Sequence, residues 1–209
     1  KKTFGQDRVL LALEGHGREE ILPGLDIGRT VGWFTSIYPV VLDASMHDDL
    51  SRQIKEIKES LHKLPAKGIG YGILKYLTAD ENKQELSFNL KPKISFNYLG
   101  QFDADIKRTS FEMAKESHGR SMDNKMQVDY ELVVIGLLTR QRLTMSIQYS
   151  KKQFKAETIE SFIDNFQKEI EHIIAYCTSR DVKEITPSDL TYNELSIDTI
   201  ESISAMFDD

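Results

Sequence analysis

A single cysteine, Cys177, stands in a chain of 209 residues. No disulfide framework and no thiolate metal site can therefore form within it. The histidines His16, His47, His62, His118 and His172 fall in no His-x-Glu-x-x-His type cluster, so the expected metal complement is none. No apolar run approaches the ~20 residues that span a bilayer, and the N-terminus lacks a signal peptide's apolar core. A net charge of −6, without Lys/Arg clusters interleaved with aromatics, argues against nucleic acid as a partner. A cytoplasmic setting with no membrane partner is the expectation. An initiating Met is missing too, and the chain reads as a piece of something longer. Internal repeats and low-complexity tracts are absent.

What is present begins with a dense apolar run, Val9-Leu10-Leu11-Ala12-Leu13, of the kind that forms a strand buried on both faces. Glu14 follows on the side of Leu10 and Ala12. A carboxylate there either meets a cation or is partly desolvated. Gly15 and Gly17 then allow a sharp turn or a close backbone approach. An acid at a strand end beside a turn suits catalysis, and equally suits the simple end of a strand.

A loop with Pro23, Gly24 and Gly28 leads to a second predicted strand over 30–38, ended by Pro39, with residues 40–42 extended beyond it. Leu50, Ile54, Ile57 and Leu61 mark a helix that Pro65 stops. Residues 65–72 read as a loop before a short amphipathic piece at 73–77. A third strand covers 94–100, and residues 103–125 are polar and illegible. Strands over 128–138 and 143–149 flank a turn short enough for a hairpin, although it lacks Asn-Gly. Ile159, Phe162, Ile163, Phe166, Ile170, Ile173 and Ile174 give the strongest helical period in the chain. Thr186-Pro187-Ser188-Asp189 reads as a helix start, and Ile197, Ile200, Ile203, Met206 and Phe207 suggest a terminal amphipathic helix. The pattern is α/β or α+β.

Singly, the glycine- and aromatic-rich stretches have plain structural explanations. Gly68-Ile69-Gly70-Tyr71-Gly72 lacks the Lys-Ser/Thr and the preceding buried strand of a phosphate-binding loop. Ser117-His118 lacks a nucleophile elbow. Trp33, Phe34 and Tyr38 suit a core as well as a ligand. Asn97 and Tyr98 are strand neighbours whose side chains leave on opposite faces.

Together, EGHGRE (14–19), RTVGWFTSIYP (29–39), PAKGIGYG (65–72) and FNYLGQF (96–102) come in the order and wording of one family. From about Asp7 to the TPSDL stretch at 186–190, the chain resembles the C-terminal half of an epimerization domain from a nonribosomal peptide synthetase. The resemblance implies an α/β, chloramphenicol acetyltransferase-like lobe, a mixed sheet flanked by helices, in a two-lobed V-shaped domain. Residues 1–190 would be that lobe and 191–209 a linker or docking segment. The family's other lobe carries adjacent histidines followed by Asp-Gly; no such pair occurs here.

The implied reaction inverts the α-carbon of an aminoacyl or peptidyl thioester, with Glu14 as catalytic carboxylate and Asn97 or Tyr98 near the thioester or enolate. His16, Trp33, Phe34 and Tyr38 would line the substrate. No cofactor of its own is implied, because the substrate rides the phosphopantetheine arm of a peptidyl carrier protein. The other implied partners are the domain's N-terminal lobe and a downstream condensation module. A condensation domain lobe and a non-catalytic carrier-binding fragment are the alternatives.

Overall fold

The computed structural model describes every residue except 1, 21, 46–48, 102–113, 115, 118, 120–122, 124–125, 127–128, 182, 193 and 207–209. His118, Phe207, the first residue of the strand expected from 128 and most of 103–125 therefore lie outside the described residues. The chain divides into two compact units. One comprises Lys1–Val9, Val41–Gly70 and Lys155–Asp209; the other comprises Leu10–Val40 and Tyr71–Phe154.

Most of a five-stranded mixed sheet falls in the second unit. Its strands are β1 (Arg8–Gly15), β2 (Ser36–Asp43), β3 (Ile94–Gln101), β4 (Leu132–Thr139) and β5 (Arg142–Tyr149), in the order β2-β1-β3-β4-β5. β1, β3 and β4 run parallel, and β5 returns antiparallel to β4. Central position explains the apolar run in β1, where Leu11 and Ala12 are buried along with Leu132 and Val134 of β4. The β4–β5 turn forms without Asn-Gly: Arg140 and Gln141 both take positive φ, 49° and 60°, as a two-residue hairpin turn of matching twist requires.

Two expectations change. Pro39 does not end a strand; β2 begins only at Ser36 and runs through Pro39. β2 is the sheet's edge, where a residue without an N–H is tolerated. Residues 69–77 are helical rather than loop and fragment. A single turn α2 (Ile69–Gly72) passes into a π-helical turn, Ile73–Leu77, closed by Thr78 N donating to Ile73 O at 3.0 Å.

The first unit holds α1 (Leu50–His62), α3 (Ala156–Thr178) and α4 (Ile197–Ala205). Asp49 caps α1 by accepting from Arg52 N at 2.9 Å, and Ile159 of α3 is 2% exposed. The Thr186-Pro187 signal opens a short 3-10 turn, Pro187–Asp189; Thr186 N donates to Asp189 Oδ2 at 2.9 Å. Buried Glu59 of α1 accepts from Ser188 N at 3.1 Å and so joins α1 to that turn. The terminal helix α4 buries Ile200 and leaves Ile203 and Met206 exposed. Its acids meet cations of the same unit: Arg52 reaches Asp198 at 2.5 Å, and Lys55 reaches Glu201 at 2.8 Å.

Glu184 belongs to this charge network and lines a cleft of about 430 Å³ beside α1. Hydrogen bonds from Lys55 and Ser51 pull its carboxyl down from an ordinary 4.5 to about 2, against the opposing effect of burial. A depressed carboxylate stabilises the fold above its unfolded pKa, and that contribution disappears as pH falls through the folded value. The first unit should therefore lose this stabilisation between about pH 4.5 and about pH 2. In Glu184→Gln, stability measured by denaturant titration should fall at pH 7 and depend less steeply on pH over that window; an unchanged acid slope would exclude Glu184 as a contributor.

Candidate active site on the parallel sheet

The parallel register sets Leu11, Ala12 and Leu13 opposite Ile94, Ser95 and Phe96, which brings Glu14 level with Asn97. Both side chains leave the same face. Asn97 Nδ2 donates to Glu14 Oε2 at 2.6 Å in a part-buried setting. The acid thus meets a neutral amide; among the described residues it makes no ion pair with a cation. An amide fixes the carboxylate's orientation without cancelling its charge, an arrangement suited to a base. Below the pair on the same face lie the small side chains of Ala12 and Ser95, each 1% exposed. The buried Ser95 Oγ has no hydrogen-bond partner among the described residues.

The rest of EGHGRE builds the turn behind the acid. Gly17 has φ +66°, and its missing Cβ leaves room for the Phe34 carbonyl. Arg18 holds the following loop: Nη1 donates to Ile27 O at 2.6 Å and Nη2 to Thr30 O at 2.9 Å, while the guanidinium lies 4.2 Å from the centroid of the Phe34 ring. His16 serves the same turn. Its Nδ1 accepts from Arg18 N at 3.0 Å and its Nε2 lies 3.0 Å from Glu19 Oε1. Sequence reasoning passed over Arg18; a cation directly after Gly-x-Gly, ahead of a long loop rich in free carbonyls, was the available signal.

The remaining sequence candidates separate. Tyr38 sits on β2 beside β1, half-buried, its phenol pushed up by burial and by Glu19. Phe34 is half-buried under Arg18, whereas Trp33 is 91% exposed. Tyr98 stands on the face of β3 opposite Asn97 and Glu14. It packs where Gly136 has no side chain: a Cβ there would come to 3.0 Å of Tyr98 Cδ2 and 2.9 Å of Met145 Sδ. The Tyr130 phenol, just ahead of β4, is pushed up chiefly by burial and then by Asp129 and Glu14.

Among the described residues no cluster of three or more His, Cys, Asp and Glu could hold a metal, and no helix is long and apolar enough to cross a membrane.

The condensation domain family matches residues 1–196. Surfactin synthase subunit 1 of Bacillus subtilis (strain 168) is 44% identical over 207 residues, 99% of this chain and 6% of that protein. Gramicidin S synthase 1 of Brevibacillus brevis is 43% identical over 205 residues, 94% of this chain and 19% of that protein. The solved epimerization domain from the third module of tyrocidine synthetase B superposes with a TM-score of 0.79 at 39% identity. That match covers 86% of this chain and 40% of the solved one, so the chain spans well under half of that domain and a small part of the synthetases. The shared mixed sheet is the chloramphenicol acetyltransferase-like one expected from the four stretches. Matched over nearly its whole length, the chain belongs to the condensation domain family of nonribosomal peptide synthetases.

Proposed function

We propose that the chain is the C-terminal lobe of an epimerization domain that converts an L-aminoacyl or peptidyl thioester on a carrier protein to the D form. The observation that carries this reading is the Glu14–Asn97 pair at 2.6 Å, an oriented carboxylate at the end of a central strand. The likeness to a solved epimerization domain supports it. A Cα–H beside a thioester is weakly acidic, so a positioned base must take the proton while the resulting enolate is stabilised. Inversion then needs a proton delivered to the other face of the carbon, from an acid on the domain's other lobe. The substrate would arrive on the phosphopantetheine arm of a peptidyl carrier protein, and a downstream condensation module would accept the product.

The match to the condensation family supports a second reading, a lobe that forms peptide bonds. One assay separates the two. The complete domain, given L-aminoacyl carrier protein in D2O, should wash deuterium into the α-position and accumulate D-aminoacyl product. Peptide-bond formation with an acceptor, without α-exchange, would overturn the epimerase reading. The isolated chain should yield no D-product above a no-enzyme control, because a one-sided site lacks the opposing acid; D-product from it would refute the two-lobe requirement.

A further inference from the structure

Glu14 has a strand on either side, β3 with Asn97 and the edge strand β2. Two contacts fix what β2 sets beside the acid. Ala44 N donates to Asp7 O at 2.9 Å, and a Cβ on Gly15 would stand 3.0 Å from Ser36 Oγ and 3.5 Å from Tyr38 Cε1. Together they run β2 antiparallel to β1 and pair Asp7 with Ala44, Gly15 with Ser36 and, between them, Glu14 with Ile37. Glu14 and Ile37 lie an odd number of residues along from the hydrogen-bonded pair, so theirs is a non-hydrogen-bonded pair, the close kind with Cα atoms about 4.5 Å apart. Ser36 and Tyr38 accompany Gly15 on the face away from the acid, and alternation leaves Ile37 on the face of Glu14. One row of side chains thus crosses that face: Ile37, Glu14, Asn97, Ile135 and Ser146, about 4.8 Å apart from strand to strand. Ile37 is 44% exposed there.

Proton abstraction needs the substrate's α-carbon about 3–3.5 Å from a Glu14 carboxylate oxygen, so whatever that carbon bears must rest on the acid's neighbours in the row. Asn97 Nδ2 carries two protons and gives one to Glu14; among the described residues the second has no acceptor. A thioester carbonyl drawn to that second proton turns the amino acid's side chain the other way, over β2. The side chain that it meets there is Ile37. We infer that Ile37 is a specificity-determining residue of this lobe, carrying the side chain of the amino acid being inverted and selecting apolar ones, aliphatic or aromatic. The inference rests on the epimerase reading above.

The chemistry of the contact gives the direction of the preference. An apolar substrate side chain laid on Ile37 takes both surfaces out of water. A polar one would lose its water against a side chain that offers no hydrogen bond in return. Ile37 has no group that can move a proton, so its contribution is to binding, and it discriminates between substrates without taking part in the transfer.

The test follows α-proton exchange by the complete domain on two substrates, L-phenylalanyl and L-alanyl carrier protein. The parent should prefer the phenylalanyl substrate, and Ile37→Ala should lower the ratio of the two kcat/KM values by about tenfold or more, chiefly through KM for the phenylalanyl substrate. Ile37→Thr keeps the branched β-carbon that suits a strand and should lower the ratio in the same sense. Leu143→Ala is the control: Leu143 is also exposed, but on the face of β5 turned away from Glu14, and its loss should leave the ratio unchanged. Melting temperatures report folding. A parent indifferent to the side chain, Ile37 variants that slow both substrates alike, or a ratio that Leu143→Ala lowers as much, would overturn the inference and leave the epimerase reading standing. Equal slowing is what a residue that only packs against the other lobe would give. If the parent exchanges neither α-proton, the epimerase reading falls and this inference with it.

Discussion

Glu14→Gln in the complete domain is expected to lower the rate of epimerization by about 10²-fold or more. Glutamine has the shape of glutamate, and its carbonyl oxygen can still accept the proton that Asn97 Nδ2 now gives to Glu14 Oε2. The β1–β3 pairing and the packing over Ala12 and Ser95 therefore persist, and thermal stability should stay close to that of the parent. Only the capacity to take and return a proton is lost. The measurement is the D/L ratio on the carrier as a function of time, with melting temperature as the control for folding. Inversion near the parental rate would remove Glu14 from the chemistry, whatever the domain does. Asn97→Ala offers an intermediate outcome, since it frees the carboxylate to rotate without removing it.

The parts of this fold that were legible in the sequence are those governed by local periodicity. α3 followed from seven apolar residues at helical spacing, and β3 and β5 from their β-branched and aromatic runs bounded by turn residues. What failed depended on neighbours distant in the chain. Whether Pro39 ends a strand depends on whether β2 is an edge, and strand order is a property of the whole sheet. Gly70 and Gly72 lower the helical propensity of 69–77, yet the segment is helical, and tertiary packing routinely outweighs terms of about 1 kcal/mol per glycine. The acids of α4 bond Arg52 and Lys55, some 146 residues away in sequence, a pairing that no local pattern shows. The site was legible in the same uneven way. Strand alternation alone put Asn97 and Tyr98 on opposite faces, and the β1–β3 register then chose Asn97 for Glu14.

Gly17→Ala is expected to be among the most damaging single-methyl additions in the chain. The backbone at Gly17 has φ +66°, which costs an alanine about 1–2 kcal/mol by itself. A Cβ built there would stand 1.5 Å from Phe34 O and 2.5 Å from Phe34 C, far inside van der Waals contact. The obstructing atoms are backbone, so no rotamer change relieves the overlap. The 27–34 loop would have to move away, and with it the carbonyls of Ile27 and Thr30 that Arg18 binds and the Phe34 ring under its guanidinium. Gly24→Ala is the matched control, with a similar φ of +78° and nothing within 4 Å of the added carbon. Its cost should be the backbone term alone, about 1–2 kcal/mol. Gly17→Ala should exceed it by at least about 2 kcal/mol, the range of severe core disruptions. It should also disorder the turn directly after Glu14. Denaturant titration of the two variants measures the difference, and hydrogen exchange over residues 15–35 reports where the structure opens. Equal destabilisation by the two substitutions would mean that Gly17 is needed only for its backbone angle and not for the approach of the Phe34 carbonyl.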